Sequence, residues 1–317
     1  MTTPAEPGLE RLAAAVAEEL AAPVVPGVRR FAAELAARSG GRAAGVLFYG
    51  SALRTGATDG LLDFYVLLDD LAHWDAGPMA RRANAALPPN VEYAESAGPD
   101  GGLRAKIAIM TVAQFRAHAR ALSRDTTIWT RFTQPAALAF ARDPGAAWEV
   151  AEAVAVAVRS AAWWAALLGP ASGTAAEFWS GLFRRTYASE LRVESAAQPS
   201  AIVERAPERF ARMLELGWEA AGLRFTRDGA RLTTAIPERE RRTAERAWGL
   251  RRRLAKPLNL ARLAKAVFTF SGGADYVAWK IERHSGHRIE VTPFQRRHPL
   301  LAAGPVLWRL WRRGVLR

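Results

Sequence analysis

The spacing of apolar residues changes along the chain and predicts helices first and strands afterwards. Residues 8–39 have apolar positions at helical intervals, interrupted by the sequence PVVPG and ended by Ser39-Gly40-Gly41. This pattern predicts two helices. The period then shortens, and apolar runs of strand length lie at residues 43–50, 60–68, 91–96 and 103–111.

Helices dominate the prediction for the rest of the chain. One is predicted near residues 78–87, and beyond residue 111 the pattern is helical, with an alanine-rich segment from about 146 to 168. Strands that alternate with helices and then give way to helices predict an α/β (α+β) domain followed by a mainly helical domain. We divide the chain into a first domain, a helical domain and a C-terminal tail at residues 1–145, 146–240 and 241–317.

Two observations bear on the membrane and the compartment. The most apolar long segment contains Glu149, Glu152 and Arg159, too many charges for a membrane span of about 20 apolar residues, so we predict a buried helix. The N-terminal residues include acids and lack a basic stretch before an apolar one, so they do not resemble a secretory signal. We therefore expect a cytoplasmic protein.

The positive charge of the chain is concentrated in its tail. The net charge is +13, and residues 241–317 contain 18 Lys and Arg against four acids, so the remainder is close to neutral. Such a segment must face anions, either nucleic-acid phosphates or anionic lipid head groups.

Three amphipathic stretches in the tail favour a lipid surface. In the first, Asn259 is a predicted N-cap, with an apolar stripe on one face and Arg262 and Lys265 on the other; the predicted stripe is Leu260, Leu263, Ala264, Val267 and Phe268. A second helix is predicted from Asp275. The last stretch places Trp308 and Trp311 among Val, Leu and Arg, as in interfacial helices.

Candidate chemistry is concentrated between the first two predicted strands. Gly50-Ser51 ends the first strand, where free backbone amides can bind phosphate. The period of two on the second strand places Asp63 and Tyr65 on one face, and Asp63 points to where Gly50-Ser51 opens. The chain has no cysteine and five scattered histidines, so any metal is expected to have oxygen ligands.

A Gly-Ser turn followed by an acid inside an apolar strand is the arrangement of the nucleotidyltransferase superfamily. There, strand carboxylates hold a divalent metal on a triphosphate, and displacement at the α-phosphorus needs the developing charge to be neutralised. Tyr65 stands where the usual Asp-x-Asp pair has its second acid. The motif by itself is weak, because an ordinary turn followed by an aspartate also satisfies it.

Four segments in order resemble the mitochondrial-type (translocator assembly and maintenance) phosphatidate cytidylyltransferases, peripheral CDP-diacylglycerol synthases of that superfamily. The segments are FYGSALRTGATDGLLDFYVLLDDLAHW, then LRAKIAIMTVAQF with TIWTRFTQP, then YASELR, and finally LARLAKAVFTFSGGADYVAWKIER. They occur between residues 46 and 284. The sequence departs from the family at Gln134, where a basic residue is common, and in the stretch EYAESAGPDGG before the lysine strand of the second segment.

The resemblance implies a nucleotidyltransferase-like first domain that joins CTP and phosphatidate, with Mg²⁺ or Mn²⁺, and releases pyrophosphate. It implies metal ligands at Asp63 and at Asp69 or Asp70, with Asp69 favoured because a spacing of six keeps one strand face. The implied catalytic residues are Asp63, Asp69 and Lys106. The implied binding residues are Gly50, Ser51, Arg131, Glu190 and Arg192.

Each of these roles has a structural alternative, such as a turn carboxylate for Asp69 or an edge lysine for Lys106. Phosphatidate as substrate would explain the tail, which we expect to dock on the inner face of an anionic membrane. A nucleotidyltransferase acting on RNA is the first alternative; we do not expect nucleic acid, because Trp308 and Trp311 have helical spacing rather than that of a stacking platform. A catalytically inactive adaptor and an antibiotic-modifying enzyme are the others.

Overall fold

The computed structural model describes residues 7–97, 102–188, 199–269 and 292. It is a mixed α and β protein that begins with the two predicted helices, α1 (Pro7–Leu20) and α2 (Pro26–Ala37). Gly40 and Gly41 follow with positive φ angles of 62° and 81°, a conformation that favours glycine, and so end the helical segment.

A mixed five-stranded sheet follows. Its strands are β1 (Ala43–Tyr49), β2 (Leu61–Leu68), β3 (Asn90–Ser96), β4 (Leu103–Thr111) and β5 (Ala136–Ala141). Their spatial order is β3-β4-β2-β1-β5, with β2 and β4 parallel and the other neighbours antiparallel. The first four were predicted. The fifth was not, because its sequence AALAFA is rich in alanine, which favours helices.

Short helices connect these strands. They are α3 (Ser51–Thr55), a 3-10 turn (Leu71–His73), α4 (Pro78–Ala86), α5 (Val112–Ala119) and α6 (Thr127–Phe132). Thr111 and Gln114 form a capping box at the start of α5, each side chain bonding the other's backbone N–H. The prediction of helices near 78–87 and after residue 111 is confirmed.

The sheet is apolar on both faces, and each face belongs to a different core. Tyr65 and Leu67 of β2 pack into the larger core, whereas Phe64 and Val66 pack into a smaller core with α2. This alternation is the strand period of two predicted for Asp63 and Tyr65. The candidate chemistry therefore lies on the face of the larger core.

The helix α7 (Pro144–Leu168) is the centre of that larger core. By length and composition it could cross a membrane, but 83% of its most apolar window is buried inside this protein. The prediction of a buried helix is confirmed. It begins with Asp143, whose side chain accepts a hydrogen bond from the backbone N–H of Ala146 and so caps the helix.

The chain beyond α7 packs onto it. This part contains β6 (Ser172–Thr174), α8 (Ala175–Tyr187), α9 (Pro199–Glu204), α10 (Pro207–Ala220), β7 (Phe225–Asp228) and β8 (Arg231–Thr234). The three strands form a small antiparallel sheet in the order β6-β8-β7. A Cβ on Gly217 of α10 would lie 2.5 Å from the Cβ of Ala162 of α7. The glycine therefore allows α10 and α7 to approach closely. The predicted boundary near residue 145 coincides with the start of α7, and one continuous core includes residues on both sides of it.

The last described element is one long helix, α11 (Glu238–Thr269), which contains Pro257. The prediction that a separate helix begins with Asn259 as its cap is therefore wrong. The predicted placement on opposite faces agrees with the residues described, because Leu260 is 65% exposed whereas Arg262 and Lys265 bond to the protein. The predicted helix from Asp275 and the Trp308 and Trp311 segment lie outside the described residues.

The inward basic residues of α11 bond to loops that adjoin the five-stranded sheet. Arg262 donates to both carboxylate oxygens of Asp125, at 2.5 and 3.2 Å. Lys265 donates to the carbonyl oxygens of Leu87 and Pro89, both at 2.6 Å. Arg251 donates to carbonyl oxygens of the loop between α5 and α6, those of Ala121 and Ser123. These contacts bind α11 to the sheet domain.

Candidate functional site

The predicted residues converge because the strands pair in a particular register. Asp63 lies opposite Tyr49 on one side and opposite Lys106 on the other, and Lys106 lies opposite Tyr93. Residues that are opposite each other in a sheet present their side chains on the same face. The order across the sheet is thus Tyr49, Asp63, Lys106 and Tyr93, with Asp63 and Lys106 both half-buried.

Gly50 places the turn that we predicted to bind phosphate against Asp63. Gly50 has φ 93° and ψ −160°, a region that is essentially restricted to glycine. A Cβ at this position would lie 2.9 Å from Oδ2 of Asp63, so the carboxylate packs directly on the turn. Ser51 follows as the exposed first residue of α3. The prediction that Asp63 points to where Gly50-Ser51 opens is confirmed.

Arg131 reaches the same end of the sheet from α6. Its Nη1 donates a hydrogen bond of 3.0 Å to the hydroxyl of Tyr65, and its guanidinium carbon lies 5.9 Å from the centre of the Tyr49 ring. Tyr49 thus lies beside this guanidinium and opposite the Asp63 carboxylate, and both charges act on its phenol. A guanidinium in this position suits a phosphate, since Arg bonds phosphate oxygens bidentately.

Tyr49, which the sequence favours as a core residue rather than a ligand, lies at the candidate site. Burial raises the pKa of its phenol well above the usual 10; the Arg131 charge opposes this shift, and the Asp63 charge adds to it. Tyr49 thus stays protonated at neutral pH and presents a hydrogen-bond donor. Its position immediately before Gly50-Ser51 was the available signal.

Arg54 and Gln134 form a second pair beside the turn. Arg54, in the last turn of α3, donates to the side-chain oxygen of Gln134 at 3.5 Å. Gln134 is the position at which the resemblance led us to expect a basic residue. The hydrogen bond places the guanidinium of Arg54, which belongs to α3, next to residue 134. The spacing of the two residues in the sequence could not reveal this proximity.

A group of three polar residues lies one step further along the sheet, beyond Lys106. Tyr93 donates from its hydroxyl to Glu95 at 2.6 Å, and Arg104 lies 3.5 Å from the same carboxylate. Glu95 and Arg104 are opposite each other on β3 and β4. These residues extend the polar end of the sheet face towards its outer strand.

Asp69 and Asp70 do not join this group, which corrects the prediction that one of them shares a metal with Asp63. The strand β2 ends at Leu68, and six residues of extended chain separate Asp63 from Asp69 by about 20 Å. Asp69 instead accepts a hydrogen bond of 2.6 Å from Arg142, and Asp70 caps the 3-10 turn through the N–H of Ala72. Two carboxylates on the same face of a strand cannot bind one metal ion when they lie at opposite ends of that strand.

The fit of a divalent metal to the remaining residues depends on the substrate. Among the residues that the structure describes, no group of three or more His, Asp or Glu is arranged to hold a metal. Asp63 alone suits Mg²⁺, which commonly binds one or two carboxylates and takes its other ligands from substrate phosphates and water. The predicted binding residues Glu190 and Arg192 lie outside the described residues.

Comparisons with known proteins leave this geometry as the principal guide to function. No protein-family model matches the chain. No curated protein matches its sequence either.

Proposed function

We propose that this protein is a nucleotidyltransferase that transfers CMP from CTP to phosphatidate, giving CDP-diacylglycerol and pyrophosphate. The observation that supports this most is the contact between Asp63 and the Gly50-Ser51 turn, with Lys106 directly beside Asp63. The choice of CTP and phosphatidate rests on the four ordered sequence segments. The site geometry supports the reaction class.

The transfer forms a bond between a phosphate oxygen of phosphatidate and the α-phosphorus of CTP. It breaks the bond from that phosphorus to the bridging oxygen, and pyrophosphate leaves with the electron pair. Gly50 and Ser51 would hold the outer phosphates through backbone N–H groups. Lys106 and Arg131 would bind phosphate oxygens, Lys106 as a compact charge and Arg131 in a bidentate manner.

Asp63 would hold Mg²⁺ or Mn²⁺ together with the oxygens of the triphosphate. The bound cation would neutralise charge that develops on the attacking and leaving oxygens. Tyr49, protonated at neutral pH because its pKa is raised by burial, would donate a hydrogen bond beside Asp63. The protein residues thus supply binding, orientation and positive charge.

Membrane docking through α11 is the second part of the proposal. The exposed residues of α11 include Leu250 and Leu260, at 52% and 65% exposure, together with Arg252, Arg253 and Lys256. Each basic residue near an anionic surface contributes about 1 kcal/mol, and the leucines add apolar contact. Docking would bring the phosphatidate head group to an enzyme at the cytoplasmic face.

A direct assay tests the reaction and separates it from the alternatives. Purified protein is incubated with labelled CTP, Mg²⁺ and phosphatidate vesicles, and in parallel with RNA in place of the lipid. With phosphatidate we expect a labelled lipid and released pyrophosphate. With RNA we expect no transfer of label. Label on RNA would favour the RNA-directed alternative, and no product with either acceptor would favour the inactive adaptor.

Vesicle sedimentation tests the docking surface independently. Leu260→Asp is expected to weaken binding to vesicles that contain phosphatidate, while Val25→Asp, which changes an exposed aliphatic residue outside α11, serves as the control. Equal binding by both variants and the unchanged protein would exclude this face of α11 as the docking surface.

A further inference from the structure

Tyr65 is the feature that the proposed reaction leaves unexplained. It stands at the second-acid position of the Asp-x-Asp pattern, yet its side chain has no exposed surface and belongs to the larger core. Its ring packs against Phe115 and Phe132, with ring centres 6.3 and 5.1 Å away. A buried tyrosine of this kind is not available as a metal ligand in place of an acid.

The hydroxyl of Tyr65 has a specific use. It accepts a 3.0 Å hydrogen bond from Arg131, whose guanidinium also lies over Tyr49. Tyr49 is opposite Asp63 in the sheet, so the bond fixes a permanent cation at the end of the sheet where Asp63 and Gly50 meet. A phenylalanine would fill the apolar pocket equally well, so the hydroxyl is not needed for packing.

We propose that Tyr65 is a positioning residue that holds Arg131 as a fixed cation on the triphosphate, in place of the charge that a second metal-binding carboxylate would recruit. A site with two carboxylates neutralises phosphate charge with the cations they bind, whereas this site has Asp63 and a guanidinium. The substitution at residue 65 therefore changes the source of the positive charge. This inference rests on the proposed function, because it assumes that a nucleoside triphosphate occupies the site.

The proposal predicts that part of the affinity for CTP is independent of metal. Binding of CTP is measured by calorimetry in EDTA and again in Mg²⁺, for the unchanged protein and for Tyr65→Phe. We expect measurable binding in EDTA and a loss of about tenfold in Tyr65→Phe, since a hydrogen bond to a charged group is removed. Arg131→Gln should lose at least about thirtyfold.

Two controls separate positioning from a general loss of structure. Thr186→Val removes another buried hydroxyl, one that donates to the carbonyl oxygen of Phe183 on α8, and should leave CTP binding unchanged. The double variant of Tyr65→Phe and Arg131→Gln should bind CTP no more weakly than Arg131→Gln alone, because Tyr65 acts through Arg131.

The outcomes distinguish this inference from the function on which it rests. If the unchanged protein binds CTP in Mg²⁺ but not in EDTA, or if Tyr65→Phe binds as well as the unchanged protein, the positioning role is wrong and the proposed function stands. If the unchanged protein binds no CTP in either condition, the proposed function itself fails.

Discussion

Asp63 and Gly50 are in direct contact: the carboxylate oxygen Oδ2 of Asp63 lies 2.9 Å from the place that a Cβ of residue 50 would take. The contact joins a strand carboxylate to a turn that can bind phosphate, although 13 positions separate them in the sequence. It exists because β1 and β2 pair antiparallel with Tyr49 opposite Asp63.

Gly50→Ala should therefore disrupt the site as well as the fold. An alanine would adopt φ and ψ values that only glycine accepts readily, at a cost of about 1–3 kcal/mol, and its methyl group would displace the Asp63 carboxylate. We expect lower stability in urea unfolding and at least tenfold weaker CTP binding by calorimetry.

Gly56→Ala is the matched control for this change. Gly56 also has a positive φ, 73°, but nothing lies within 4 Å of the place its Cβ would take. It should lose about 1 kcal/mol of stability and keep its CTP affinity. Similar CTP affinities for the two variants would contradict the role assigned to the contact between Gly50 and Asp63.

Arg262→Ala should release α11 from the loop before α6. The pair with Asp125 is nearly buried, with side-chain exposures of 17% and 8%. Removal of Arg262 takes a charged partner from the buried carboxylate, which keeps His118 and the N–H of Thr127, at a cost of about 2–3 kcal/mol. Hydrogen exchange should rise in residues 120–127. Arg142→Ala, which breaks the exposed pair with Asp69, should cost less than about 1 kcal/mol.

The loss of folding stability caused by Arg262→Ala should also depend on pH. Burial tends to raise the pKa of Asp125, but His118 and Arg262 together lower it below its usual range. A group with a lowered folded-state pKa stabilises the fold above its unfolded pKa of about 3.9, and this contribution is lost at lower pH. The stability difference between the unchanged protein and Arg262→Ala should thus shrink on acidification. A difference that stays constant down to pH 3 would contradict this explanation.

Lys265 gives a prediction in the alkaline range. Burial and the neighbouring Arg262 charge lower its pKa from 10.5 to about 8. Between these two values the unfolded chain binds more protons than the folded protein, so folding becomes more favourable as the pH rises. A neutral amine keeps two N–H donors for the carbonyl oxygens of Leu87 and Pro89.

Urea unfolding of the unchanged protein and of Lys265→Met from pH 7 to pH 10.5 tests whether the Lys265 contribution to folding stability rises with pH. The stability of the unchanged protein relative to the variant should rise through the window. A flat or falling difference would mean that Lys265 is not desolvated as described.

Local pattern was sufficient to predict much of the fold. The four strands β1 to β4 and the buried helix α7 have strong periodicity and clear ends. The strand β5 was missed because AALAFA has helix-forming composition, and pairing with β1 overrides it. In the small sheet, β6 lies far from its partners in sequence, so no local pattern indicates it. The strands β7 and β8 form a hairpin around Gly229-Ala230, and the Asp228-Gly229 turn signal for it was overlooked.

The contacts of the site were predictable where they join adjacent strands. They were not predictable where they join residues that are far apart in the sequence, or where the separation of two residues along one strand decides. Strand period gave the facing of Asp63 towards Gly50. It also suggested Asp69, since alternation gives the face of a residue and not how far apart two residues lie. The bond between Arg131 and Tyr65 joins residues 66 positions apart, which pattern could not indicate. For α11, the amphipathic pattern placed Arg262 and Lys265 opposite the apolar stripe, but it could not indicate that their hydrogen bonds turn the basic side inward.

The most direct test of the central claim compares Asp63→Asn with Asp69→Asn in the synthesis of labelled CDP-lipid from CTP and phosphatidate vesicles. Both changes remove one negative charge on nearly the same shape, one at the Gly50 turn and the other at the opposite end of β2. We predict that Asp63→Asn reduces the rate at least about a thousandfold, or about 4 kcal/mol, and that Asp69→Asn stays within about threefold of the unchanged protein. CDP-lipid synthesis by Asp63→Asn at the unchanged rate would contradict the account.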